Sequence, residues 1–199
     1  MRLPGESSQL KMAPASRLVE QKIQSKQSNT ARKAGVMVLF YGFDSLNIAL
    51  IRRTIDGSVH SGQIAFPGGE KERIDKDLLD TAKRELQEEI GVEEENYEVV
   101  KKLTDIYIPP SNFYVQPFLA VCHREPKFYK QKSEVAEVVQ VPIVQLLDDS
   151  HLINTKLRSA YNTEIEVPAF KFGEHIVWGA TAMILNEVRD LVKQVQQTA

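Results

Sequence analysis

The chain has 199 residues, 42% of them hydrophobic, which suits one good core plus short extensions. Its formal charge of −2 with no long like-charge run speaks against a nucleic-acid-binding surface, while leaving room for a local basic pocket. The single cysteine, Cys122, excludes an internal disulfide and reads as a buried strand thiol, and no apolar run approaches the ~20 residues needed to span a bilayer.

The N-terminus, with Glu6 and Glu20 and no apolar signal core, argues against a transit or secretory segment and points to the cytoplasm. Residues 1–33 are polar and basic and read as an extension. Ser16–Lys26 can form a short helix packed on the domain edge, the alternative being a flexible arm. Ala34–Tyr41 and Leu46–Ile51 are apolar runs of strand length joined at Gly42-Phe43-Asp44, as in a hairpin. Arg52 and Arg53 follow, then a loop at Asp56-Gly57-Ser58 and a short strand Gln63–Phe66, stopped by a turn at Pro67-Gly68-Gly69. A helix is expected over Asp77–Ile90, capped by Asp75 or Asp77 and ended by Gly91.

Tyr97–Ile108 holds one or two strand segments, and Ser111–Tyr114 reads as an aromatic loop. Val115–Cys122 is a strand in which Pro117 suggests an edge or a bulge. After a basic, aromatic loop at His123–Lys132 come a strand at Glu134–Val141 and a short helix opened by Pro142. Leu152–Leu157 and Ile165–Phe172 read as paired strands, and Trp178–Val195 as a long amphipathic helix. One α/β domain over 34–199, with a mixed sheet between helices, fits this order.

The chemistry centres on the first long helix. At about 100° per residue, Leu78, Leu79, Ala82, Leu86 and Ile90 share one sector, and Glu85, Glu88 and Glu89 fall in the sector beside it. Three carboxylates crowded at spacings of three and four repel one another, and a divalent cation turns that repulsion into coordination. Carboxylate oxygens are hard ligands that suit Mg²⁺ or Mn²⁺ rather than zinc. Such an ion would neutralise diphosphate charge and activate a water.

Gly69, Asp75 and Arg84-Glu85-Leu86-Gln87-Glu88-Glu89-Ile90-Gly91-Val92 resemble the Nudix box: Gly, five residues, Glu, seven residues, then Arg-Glu-aliphatic-any-Glu-Glu-any-Gly-aliphatic. The second half matches at every specified position. In the first half Asp75 stands where Glu is expected, and eight residues separate it from Arg84, so Asp75 is read as a cap or loop brace rather than a ligand. The resemblance implies an α/β/α sandwich with a mixed sheet, and hydrolysis of nucleoside diphosphates linked to another moiety by water attack at phosphorus. It implies metal ligation by Glu85, Glu88 and Glu89, a bracing role for Arg84, and close backbone approach at Gly68 and Gly69.

A second stretch, Leu50–Thr54 followed by His60–Gly69, resembles the segment before the box in coenzyme A pyrophosphatases, as does Ile176–Ala182 at the last helix. Arg53, His60, Gly62 and Phe66–Gly69 match; Ile51, Thr54 and Ser58 depart, and the missing arginine at Ser58 removes one phosphate contact. This branch would cleave coenzyme A, or a derivative, to 3′,5′-ADP and (acyl-)4′-phosphopantetheine. Arg52, Arg53, His60, Lys71 and Arg73 are candidate phosphate contacts, and Phe113 and Tyr114 could stack on adenine or simply pack. Glu134 is the first choice of general base, Glu137 the second, and Glu85 or Glu88 acting through a bound water the third. The competing readings are a hydrolase of ADP-ribose or another nucleotide-linked substrate, and a non-catalytic ligand-binding regulator, against which the intact glutamates count. A homodimer stays open.

Overall fold

The computed structural model describes residues 2–14, 30–57, 60–158 and 164–198. The helix expected at Ser16–Lys26 lies outside them. The chain forms two compact units, one of Ala31–Ile143 and one of Met1–Thr30 with Val144–Ala199.

The first unit is built on β1 (Arg32–Tyr41) and β2 (Asn47–Arg53), an antiparallel pair as the two apolar runs predict. Then come β3 (Ile64–Ala65), β4 (Gly68–Glu70), the helix α1 (Leu78–Ile90), β5 (Tyr97–Lys102), β6 (Ile106–Ile108), β7 (Phe113–Cys122) and β8 (Val135–Pro142). They make an eight-stranded mixed sheet in which β1 and β7 are parallel and the other pairs antiparallel. Along one edge β1 pairs first with β4 and then with β2, while β7 covers its other edge from Arg32 to Phe40.

The helix α1 follows its sequence signals closely. Asp77, one of the two expected caps, accepts hydrogen bonds from the N–H groups of Leu79 and Asp80 at 2.8 and 2.9 Å. Such a cap contributes about 1 kcal/mol. Gly91 ends the helix in the left-handed region at φ 73°, where other residues are strained. Ala82, Leu86 and Ile90 are fully buried against Met37, Leu39, Tyr41, Phe118 and Ala120 of the sheet. Burying a side chain the size of Leu86 or Ile90 stabilises by about 1.5–3 kcal/mol. Gly35, on the same face of β1, lets the helix backbone approach: a Cβ there would lie 2.1 Å from the Leu78 carbonyl oxygen.

Three sequence expectations are corrected. Gly68 and Gly69 form strand β4 rather than a turn, with Gly68 at φ 152° and its Cα opposite Val36. Phe113 and Tyr114 open β7 rather than a loop, paired with Arg32 and Lys33. Pro117 sits in the sheet interior rather than at an edge, because it faces a change of partners. Its carbonyl accepts from Leu103 N–H at 2.9 Å, and its nitrogen points the same way, between the end of β5 pairing at Phe118 and the start of β6 pairing at Val115. No strand there calls for the missing donor.

The second unit contains the short N-terminal helix α2 (Glu6–Gln9), most of α3 (Ile143–Leu147), the antiparallel sheet β9 (Leu152–Arg158), β10 (Glu164–Phe172), β11 (His175–Trp178), and α4 (Gly179–Thr198). The strand pair and last helix stand where the sequence predicts. The helix α2 is tied to α4 by polar bonds: Asn186 Nδ2 donates to Ser8 O at 2.8 Å, and Gln9 Nε2 donates to the buried Glu187 at 2.9 Å. Among the described residues, no helix is long and apolar enough to cross a membrane.

Candidate active site

The C-terminal half of α1, the glycine pair of β4, the end of β2 and the loop before β8 meet at one place. The loop is held there by the helix end. Carbonyl groups of the last helical turn lack intrahelical partners, and two are used by the loop: Gln131 N–H donates to Glu89 O and Tyr129 N–H to Ile90 O, both at 2.9 Å. Thr54 then fixes the loop's far end, its N–H donating to Glu134 O at 2.9 Å and its hydroxyl to Ser133 O at 3.0 Å.

These ties bring Glu134 to Glu85 and Glu89. One carboxylate oxygen from each of the three lies within 4.8 Å of the others. Glu89 is buried, with 1% of its side chain exposed; its Oε2 accepts the Gly68 N–H at 2.9 Å, and its Oε1 has no hydrogen-bond partner. Burial pushes the Glu89 carboxyl up to about 8, against the pull of the Gly68 N–H, and the neighbouring Glu85 charge pushes the same way as burial. Burial also raises Glu85, which Arg84 partly offsets. Gly69 leaves room for Glu85, since a Cβ there would stand 2.3 Å from Glu85 Oε1.

Arg84 is the hub of a second network. Its Nε donates to Asp75 Oδ1 at 3.0 Å and its Nη2 to Asp75 Oδ2 at 3.2 Å, a fork-on-carboxylate geometry. Its Nη1 reaches Glu88 Oε2 at 2.8 Å and Glu85 Oε1 at 3.0 Å. Asp75 is buried and also accepts from Glu72 N–H at 2.8 Å and Thr81 Oγ at 3.0 Å. The Arg84 hydrogen bonds foremost hold its carboxyl down at about 2. Asp75 thus ties its loop to the helix through Arg84, in the bracing position expected of it.

The other candidates separate. Glu88 is half exposed and bound to Arg84, outside the trio. Arg53 stands beside the trio, its Nη1 3.7 Å from Glu89 Oε1. Arg52 points away from it and pairs with Glu137 at 3.0 Å, which occupies the second-choice base. His60 is half-buried with Nδ1 3.1 Å from Gln63 Oε1. Lys71 donates to the Asp75 carbonyl. Phe113 lies under the guanidinium of Arg32, 4.2 Å from ring centre, and Tyr114 donates to Asp105 at 2.5 Å. Thr81 as a support for Asp75 was not foreseen from sequence; its position one turn after the Asp77 cap was the available signal.

The donor set fits a hard divalent ion. Three carboxylates converge, one of them buried with an oxygen that no hydrogen bond serves, and a divalent cation would offset the repulsion that otherwise favours taking up a proton. The NUDIX domain family matches residues 31–160. The chain is 31% identical over 191 residues to an uncharacterized Nudix hydrolase NudL of Pectobacterium atrosepticum, covering 90% of this chain and 88% of that one. Among solved structures, a MutT/nudix family protein from Enterococcus faecalis aligns at TM-score 0.58 and 19% identity, over 98% of this chain and 76% of that chain. The Nudix hydrolase RenU from M. smegmatis aligns at TM-score 0.57 and 15% identity, over 83% and 88%. With the box on a helix and its Glu85 and Glu89 against a glycine strand, the chain belongs to the Nudix family and is a pyrophosphohydrolase.

Proposed function

We propose that the protein hydrolyses the diphosphate of coenzyme A or its derivatives, with Mg²⁺ or Mn²⁺, to 3′,5′-ADP and (acyl-)4′-phosphopantetheine. The observation that carries the hydrolytic reading is the convergence of Glu85, Glu89 and Glu134 beside the Gly68–Gly69 strand. The substrate rests on the stretch from Arg53 through Phe66-Pro67-Gly68-Gly69 and on Trp178-Gly179, which resemble the coenzyme A pyrophosphatase branch.

The ligands we assign are Glu85, Glu89 and, in exchange for its Arg84 contact, Glu88. A bound divalent ion supplies charge neutralisation for the diphosphate and lowers the cost of deprotonating a water. Glu134, exposed and within reach of Glu85 and Glu89, is assigned as general base. It takes the proton as the water oxygen bonds to phosphorus and the anhydride P–O bond breaks, the electron pair leaving on the departing phosphate. Arg84 holds Glu85 in place through its fork on Asp75. Arg53, beside Glu89, is the arginine best placed to meet a phosphate oxygen, whereas Arg52 is held by Glu137 and His60 by Gln63. Gly69, lacking a Cβ, leaves the Glu85 carboxylate the space it occupies beside this strand.

A product assay with Mg²⁺ or Mn²⁺ over coenzyme A, acyl-coenzyme A, ADP-ribose, NADH and diadenosine polyphosphates tests this. Release of 3′,5′-ADP from coenzyme A, lost in Glu89→Gln, is the expected result. Turnover of ADP-ribose with none of coenzyme A replaces the substrate assignment by the alternative nucleoside-diphosphate one. Tight binding of a nucleotide with no turnover of any would reject catalysis.

A further inference from the structure

The two oxygens of Glu89 are served unequally. Oε2 accepts the Gly68 N–H, while Oε1 accepts no hydrogen bond and instead faces Arg53 Nη1 at 3.7 Å. That distance is too long for a hydrogen bond but close enough for strong Coulomb attraction. The backbone fixes Arg53 where it stands. Its N–H donates to Gln63 O at 3.0 Å, and the pairing of β2 with β8 slips by a residue between Arg52 and Arg53, setting Arg53 opposite Val135. With 30% of its side chain exposed, Arg53 reaches a buried carboxylate from the solvent side.

Resting on the metal-site reading above, we propose that Arg53 is a positioning residue that competes with the divalent ion for Glu89 Oε1 and thereby sets the metal affinity of the site. One buried oxygen attracts both cations, and the two cations repel each other. Without the ion, the guanidinium orients Oε1 and offsets the charge of three crowded carboxylates. With the ion bound, Arg53 is released from Glu89 and becomes free to grip a phosphate oxygen of the substrate. Loading of metal and readiness for substrate are then linked through one side chain. An arginine that served substrate alone would leave metal affinity unchanged when no substrate is present. One that merely braced Glu89 would lower the affinity on removal.

The test is Mn²⁺ binding to the full chain without substrate, read from the electron paramagnetic resonance signal of free Mn²⁺, at pH 9 so that protons do not compete for the carboxylates. Arg53→Met should bind Mn²⁺ about tenfold more tightly than wild type, a discounted effect because the arginine is partly exposed. Arg53→Lys, which keeps the charge, should stay within about threefold of wild type. Thermal melts establish that each variant is folded, with Arg53→Gln replacing the Met variant if it is not. Equal or weaker binding by the neutral variant overturns the proposal, and so does equal tightening by the lysine variant. Glu89→Gln separates the two levels. If it binds Mn²⁺ as wild type does, or if wild type binds none, the metal-site reading itself fails and this inference falls with it.

Discussion

Gly35 and Gly69 are directly opposite each other on β1 and β4, yet a methyl group added to each meets a different kind of neighbour. At Gly35 the new Cβ would stand 2.1 Å from Leu78 O and 3.0 Å from Ala82 N, both backbone atoms of α1. An ordinary contact begins at 3.4 Å, so the helix must retreat by about 1 Å, opening the packing of Ala82, Leu86 and Ile90. Overpacking costs about 1–3 kcal/mol, and a backbone neighbour puts Gly35→Ala at the upper end. For a chain of this size, about 3 kcal/mol lowers Tm by roughly 6–12 °C. At Gly69 the Cβ would meet Glu85 Oε1 at 2.3 Å and Cδ at 2.6 Å, the far end of a flexible side chain. Glu85 can swing aside, so Gly69→Ala should change Tm by less than about 2 °C. It should nevertheless pull Glu85 from Glu89 and Glu134, with kcat/KM falling about 100-fold, the cost typical of a misplacement near 1 Å. Thermal melts in EDTA and initial rates on whichever substrate the wild type turns over separate the two effects. A Tm loss larger for Gly69→Ala than for Gly35→Ala would refute this account of the glycine pair.

Three further outcomes follow from the same geometry. Glu88→Gln should weaken Mn²⁺ binding about tenfold, while Glu134→Gln keeps it and loses about 10²–10⁴-fold in kcat; the opposite pattern in a binding assay and a rate assay would make Glu134 the ligand. Asp75 titrates near 2 in the folded chain, below its unfolded value, so its bond to Arg84 contributes stability that is present above about pH 4 and lost as pH falls toward 2. Urea midpoints should therefore show Asp75→Asn less stable than wild type by about 1 kcal/mol at pH 7, allowing for solvent screening, with the gap closing between pH 4 and 2; a gap independent of pH would argue against the ion pair. Saturating Mg²⁺ at 100 times Kd should add about 2.7 kcal/mol relative to EDTA, and in EDTA at pH 9, above the value of about 8 to which burial raises Glu89, Glu89→Gln should melt above wild type because one of three crowded carboxylates is gone. Wild-type and variant melting alike in EDTA would count against charge crowding.

What was legible in the sequence was what short-range periodicity encodes. The cap at Asp77, the stop at Gly91 and the buried stripe of Ala82, Leu86 and Ile90 depend on residues within the helix itself, and they stand as expected. The box and the order of strands likewise gave the mixed α/β sheet. The corrected elements depend on partners distant in the chain. Gly68 and Gly69 read as a turn because glycine has poor strand propensity, and only the packing against β1 and α1 shows why strand residues there must lack a Cβ: Val36 of β1 fills the space at Gly68 and Glu85 of α1 that at Gly69. Pro117 reads as an edge or a bulge because a proline cannot donate, and only the gap between β5 and β6 makes an interior place tolerable. The site divides in the same way. Glu85, Glu88 and Glu89 share a helix, so their proximity follows from the helical repeat, whereas Glu134 arrives from 45 residues beyond Glu89, carried by Tyr129 and Gln131 on the carbonyls at the helix end. Those carbonyls are orphaned by the geometry of any α-helix. The helix that supplies the carboxylates thus also supplies the anchor that brings the fourth one in, and stiffening or loosening that anchor is a way to alter the site without touching any of its ligands.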